Sequence, residues 1–203
     1  MDAVRVALLR EVLAGTEWVQ ATRRFAGALR SSVVPRGGGL LLVGTEAYEP
    51  WHLAAHLDDE AAWSGLPELS PTLVRHRVPH SAPAHLSVDL GRIEAAGRAE
   101  TLLVVAAEQP GEGLLERVQD ARRAGATVLA LDDEQAGDGG ELHGVAHEAL
   151  SARASEVGLE AVQHLVSAAA GENSALPRGK GRGFRDRLSR VAEQLTSPPP
   201  TRW

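Results

Sequence analysis

Apolar residues recur along this chain at two periods, which together predict a layered α/β domain. From residue 2 to about 31, Val4, Leu8, Val12, Val19, Ala26 and Leu29 fall at roughly helical spacing, which predicts one long amphipathic helix. Pro35 and Gly37-Gly38-Gly39 break it, since neither residue type sustains a helix. Leu40-Leu41-Leu42-Val43 is then continuously apolar and closes on Gly44, as expected of a strand covered on both faces. A helix beginning after Pro50 follows. Gly65, Pro67, Ser70 and Pro71 mark a loop, and Leu73 to Val78 alternates like a shorter strand near the sheet edge.

Further along, Thr101 to Ala107 is apolar throughout and predicts a central parallel strand. Leu114, Leu115, Val118 and Ala121 form a helical stripe closed by Gly125, and Ala126 to Leu131 is the next strand. This strand-helix-strand unit predicts a parallel pair. Gly137 to Gly140 reads as a loop, a short strand is expected around Val145 to Leu150, and a helix from Ser155 through Ala170 carries Val157, Ala161, Leu165 and Ala168 on one side. Residues 1–171 therefore form one α/β domain. Residues 172–203 change character: Pro177 to Gly183 is a basic, glycine-rich linker, and Phe184, Leu188, Val191 and Leu195 recur at helical spacing among arginines. A short amphipathic helix over 184–195 can meet a protein partner, its own domain or an anionic surface.

Composition narrows the function classes. A formal charge of -6 argues against a nucleic-acid binder, which needs a basic face to neutralise phosphates. Cysteine is absent, so disulfides, thiol catalysis and thiolate metal sites are excluded, and His, Asp and Glu remain as the strong metal ligands. No apolar run reaches membrane-spanning length, and the polar residues within the first helix are unlike a signal peptide. A soluble, cytoplasmic protein is the expectation.

The chemistry concentrates after the first strand, in Pro50-Trp51-His52-Leu53-Ala54-Ala55-His56. Open α/β sheets bind ligands where a strand passes through a short loop into a helix. His52 and His56 lie one helical turn apart, on one face, and imidazoles so placed can share a metal ion. The same spacing separates His76 from His80 and His143 from His147. Pro79 interrupts the former pair and the latter falls near a loop or strand edge, so both read as structural.

The long first helix, the strand-Gly-loop-helix, the unit from Glu100 to Leu131 and the late helix with Ala161-Val162-Gln163-His164-Leu165 together resemble a sugar isomerase (SIS) domain. The closest likeness is to bacterial phosphoheptose isomerases. The resemblance implies a three-layer α-β-α architecture of flavodoxin-like type around a mostly parallel sheet. It also implies a zinc (or other divalent metal) site of His52, His56, Glu156 and His164. Where that family uses His-x-x-x-Glu and a Gln eight positions before the last-helix His, this chain has His56 and Glu156. Eight residues of helix rise ~12 Å, so Glu160, one turn before His164, is the alternative fourth ligand.

By the same resemblance His164 and His56 stand where the family has its acid-base residues, and the ligand loops correspond to Gly44, Thr45 and Glu46 after the first strand and Glu108 and Gln109 after the central one. Those loops carry Glu46, Glu49, Glu108 and Glu112 and few hydroxyls, a poor cradle for phosphate and a better one for a neutral polyol, a cation or a second metal. The reading is of a divergent SIS-domain protein that binds a metal and a small sugar-like ligand in a non-catalytic or regulatory role. The alternatives are a metal-dependent sugar isomerase and a structural homo-oligomer without metal. The resemblance further implies a homodimer or homotetramer built through the first and last helices.

Overall fold

The computed structural model describes residues 17–34, 39–133, 140–152 and 158–171. The amino-terminal half of the predicted first helix, the start of the predicted last helix at Ser155 and the tail from 172 lie outside them. Helix α1 spans Glu17–Val33 and strand β1 Leu40–Val43. Helix α2 covers Trp51–Ser64, β2 Pro71–Val74, the single turn α3 Gly91–Glu94, and β3 Thr101–Ala106. Then come α4, Glu112–Arg123; β4, Thr127–Asp133; α5, Glu141–Val145; β5, Glu148–Ala152; and α6, Leu159–Ala170.

The five strands form one sheet in the order β2-β1-β3-β4-β5, parallel at every pairing. Each helix alternates with a strand, as a parallel sheet requires of its crossovers. The α/β fold and its central parallel sheet are those the apolar pattern predicts. Successive strand residues point to opposite faces, and the core divides accordingly. Leu40, Leu42, Leu103, Val105, Leu129 and Leu131 pack beneath α1, α2 and α6. Leu41, Val43, Leu102, Val104, Val128 and Ala130 pack beneath α3, α4 and α5. With helices on both sides, β1 and β3 from Leu102 to Ala106 carry no polar residue, which explains their unbroken apolar runs.

Three elements depart from the sequence expectation, each for a local reason. The edge strand is Pro71–Val74 rather than 73–78. Beyond Val74 the chain keeps one isolated bridge, Arg75 to Asp89, because Arg75, His76 and Arg77 turn to partners in the loop after β1. Val145 ends the short helix α5, and β5 begins at Glu148. In α6 the stripe on the sheet is Leu159, Val162, Val166 and Ala170, with Ala161 and Leu165 packing less completely beside it. That rotation decides where His164 lies.

Register sets the functional edge. Val43 lies level with Val74 and Val104, so the loops after β1, β2 and β3 leave the sheet together. The order reverses between β1 and β3, the point at which open α/β sheets form their crevice.

Truncation should separate centre from edge. Leu42→Ala, at a fully buried position of β1, is expected to cost about 2–5 kcal/mol, and Leu73→Ala, partly buried on the edge strand, less than half of that. Urea unfolding followed by circular dichroism measures both, and equal losses would contradict the strand order.

Candidate functional site

The loop from Gly44 to Pro50 builds the site. At Gly44 an added Cβ would lie 1.9 Å from the Tyr48 carbonyl oxygen and 2.7 Å from Pro50 Cδ, so no larger residue fits this turn. The Tyr48 amide donates back to the Thr45 carbonyl at 3.3 Å, and the Ala54 amide to that of Pro50 at 3.1 Å, closing the first turn of α2. Proline suits this start because a helix's first amides lack intrahelical partners. Tyr48 also anchors the loop to α6. The buried Gln163 amide donates to the Tyr48 hydroxyl at 2.9 Å.

Because α2 and α6 are neighbours on one sheet face, the second turn of α6 meets the first turns of α2. The ring centres of His56 and His164 are 4.3 Å apart, those of His52 and His56 5.9 Å, and those of His52 and His164 6.2 Å. Glu160 Oε1 lies 3.5 Å from His52 Nδ1, with both side chains about half exposed or more, so this pair contributes little to stability. Burial first, then the neighbouring His56 and His52, push the His164 imidazole down to about 4, against Glu160, which opposes them. His56 is lowered by burial first and by His52 second, against Asp59. Both rings are therefore neutral at pH 7, the protonation state that ligates metals. Among the described residues no group of three or more His, Asp or Glu is arranged to hold a metal ion as it stands. Glu156 lies outside the described residues.

The predicted ligand loops meet differently from the expectation. Thr45, nearly fully buried, donates its hydroxyl to Glu108, tying the loop after β1 to the loop after β3 across the reversal point. Gln109 is exposed beside it. Glu46 and Glu49 do not form an unrelieved acidic mouth. Arg77 Nη2 reaches Glu46 Oε1 at 2.7 Å and Arg75 Nε reaches Glu49 Oε2 at 2.9 Å. His76 Nε2 donates to the Gly44 carbonyl at 2.9 Å. Between these residues lies a cleft of roughly 190 Å³ over the carboxyl ends of β1 and β2.

The other histidine pairs do not act as pairs. His76 bonds to Gly44 as described, while His80 is exposed. His147 Nδ1 accepts the Val128 amide at 3.0 Å, a strand-start cap. His143 Nε2 lies 2.6 Å from Asp132 Oδ2 and 3.3 Å from Ser151 Oγ, a cluster sequence reading missed. Asp132 and Ser151 are register partners on β4 and β5, which spacing along one chain cannot reveal. Both approach the same ring nitrogen, whereas a nucleophile relay needs carboxylate and hydroxyl on opposite nitrogens.

No family model matches the sequence, and no curated protein matches it. Among solved structures, a candidate sugar-binding protein from Salmonella typhimurium LT2 aligns over 93% of this chain and 52% of its own, with a TM-score of 0.54 and 15% identity. A candidate phosphosugar isomerase from Silicibacter pomeroyi DSS-3 aligns over 94% of this chain and 52% of its own, with a TM-score of 0.53 and 16% identity. The chain spans about half the length of each. At this identity the likeness is one of fold. Among the described residues no helix is long and apolar enough to cross a membrane.

The depressed His164 fixes the sign of one pH effect. Above its unfolded value near 6.5 the ring is neutral in both states; below that, the unfolded chain takes up a proton the folded ring refuses until about 4. Stability should therefore fall between pH 6.5 and 4. Relative to the unmodified chain, His164→Gln should flatten that fall by on the order of 1 kcal/mol between pH 7 and 5, after allowing for solvent screening of a half-buried ring. Urea midpoints at each pH measure it, and parallel profiles would refute the assignment.

Proposed function

We propose that this chain is a divergent SIS-superfamily domain, of the phosphoheptose isomerase-like branch, that holds a divalent metal between α2 and α6 and binds a small sugar-like ligand without isomerising it. The observation that carries the reading is the meeting of His52, His56 and His164 from two helices far apart in sequence. Two imidazoles ligating one zinc ion tetrahedrally at about 2.1 Å have ring centres about 5 Å apart, and the three separations here fall on either side of that value. Closing the set requires rotation of His52, which is exposed and has room to turn. Glu156 is the fourth donor implied by the resemblance, and Glu160, already beside His52, is its alternative. A bound metal would polarise a ligand hydroxyl or carbonyl oxygen.

Binding is favoured over isomerisation because the two histidines in the family's acid-base positions, His56 and His164, are committed as ligands. Moving a proton between adjacent carbons needs a group with an available lone pair in reach of the ligand. An imidazole that ligates has committed its lone pair, and His56 stands where the family places a carboxylate. The sugar-related names of the two structural neighbours agree with a sugar-like ligand. The same reading includes a homodimer or homotetramer through α1 and α6; light scattering should give a multiple of the chain mass, and a monomer would count against it.

Metal content tests the centre directly. Tag-free protein should carry about one zinc per chain by mass spectrometry and melt higher on zinc addition. His52→Ala and His164→Ala should each lose the metal, and Glu160→Gln should weaken it. Absence of stoichiometric metal together with unchanged melting would overturn the metal centre.

A further inference from the structure

From the cleft over β1 and β2 we infer that the protein has a second binding site, centred on Arg75, for a small hydroxylated carboxylate of the sugar-acid class. The inference rests on the proposed sugar-like ligand but not on the metal. Arg75 is held at both ends. Its backbone amide donates to the Val88 carbonyl at 2.9 Å, and its Nε donates to Glu49 Oε2. Its side chain is only 22% exposed, so most of it is enclosed by the cleft walls. Glu49 occupies the Nε edge, and among the described residues the two terminal amino groups meet no acceptor. A guanidinium on a largely enclosed side chain, with two terminal donors free, matches one planar carboxylate end-on, through two charge-assisted hydrogen bonds.

The surroundings define the rest of the ligand. Glu46 and Glu49 each place one oxygen on an arginine, leaving the other able to accept from hydroxyls. His76 spends its Nε2 proton on Gly44 and so fixes the wall rather than adding a donor. Two carboxylates balance two guanidiniums around the cleft, with Glu108 close by through Thr45. A monoanionic carboxylate is accommodated in that balance, whereas phosphate, with a charge of about −1.5 to −2, would face three carboxylates with two cations. A neutral polyol leaves the Arg75 fork unfilled. The anion site thus sits just beyond the end of β2, displaced from the β1–β3 crevice that Thr45 and Glu108 bridge.

Calorimetric titration of the full chain with sodium D-gluconate, sorbitol and inorganic phosphate tests the assignment. Gluconate should bind and raise the melting temperature, with sorbitol and phosphate at least about tenfold weaker. Arg75→Met should abolish gluconate binding. Arg75→Lys, which keeps the charge and the partner Glu49 but loses the fork, should weaken it about tenfold and serves if the methionine variant does not fold. His52→Ala and His164→Ala should leave it unchanged, which separates this site from the metal centre. Gluconate binding no tighter than sorbitol, phosphate binding as tightly as gluconate, or an unchanged Arg75→Lys would overturn the cleft assignment whatever the zinc content. Loss of gluconate binding in the histidine variants would instead transfer the ligand to the metal centre and equally refute it.

Discussion

At Gly44 the backbone turns so tightly that a Cβ would lie 1.9 Å from the Tyr48 carbonyl oxygen, and both candidate sites hang on the loop this contact shapes. One end of the loop launches α2 at Trp51 and so sets the heights of His52 and His56. Its middle lends Tyr48 to Gln163, adjacent to His164. Its near end presents the Gly44 carbonyl to His76 and Glu46 and Glu49 to the arginines beyond β2. A glycine is needed there for space rather than for backbone angle.

The helices are not shared evenly in role. Those on one face, α1, α2 and α6, cover the larger core cluster, and the packing of α2 against α6 encloses two imidazoles enough to keep them uncharged. Desolvation and mutual repulsion act in the same direction on His56 and His164. A cluster of three histidines this close is tolerable at neutral pH because none of the enclosed rings carries a proton charge. Among the described residues, the opposite face, with α3, α4 and α5, brings no comparable set of histidines together. Its histidines, His143 and His147, serve the β4 and β5 ends singly.

Charge behaves differently in the fold from its appearance along the chain. Read in order, Glu46 and Glu49 precede a helix with no nearby cation and look like an acidic mouth. Parallel pairing of β1 with β2 brings Arg75 and Arg77 alongside and turns the same segment into a balanced, bidentate-capable cleft. The alternation of Leu73 to Val78 reads as strand, yet its polar half is diverted into this work, and the strand stops at Val74.

The sequence by itself determined the architecture: unbroken apolar runs such as Leu40 to Val43 and Thr101 to Ala106 can lie only between two helical layers, and the glycines and prolines between them mark the turns. It also singled out His52 and His56, because helical spacing is a local property, whereas His164 entered only through the resemblance to SIS domains. Tertiary structure alone decided which side of α6 meets the sheet, and therefore that His164 stands beside His56. It likewise decided that Glu46 and Glu49 are paired, and that Asp132 meets His143 and Ser151. Each of these depends on strand order and register, through which residues tens of positions apart become neighbours, and no one-dimensional period encodes that.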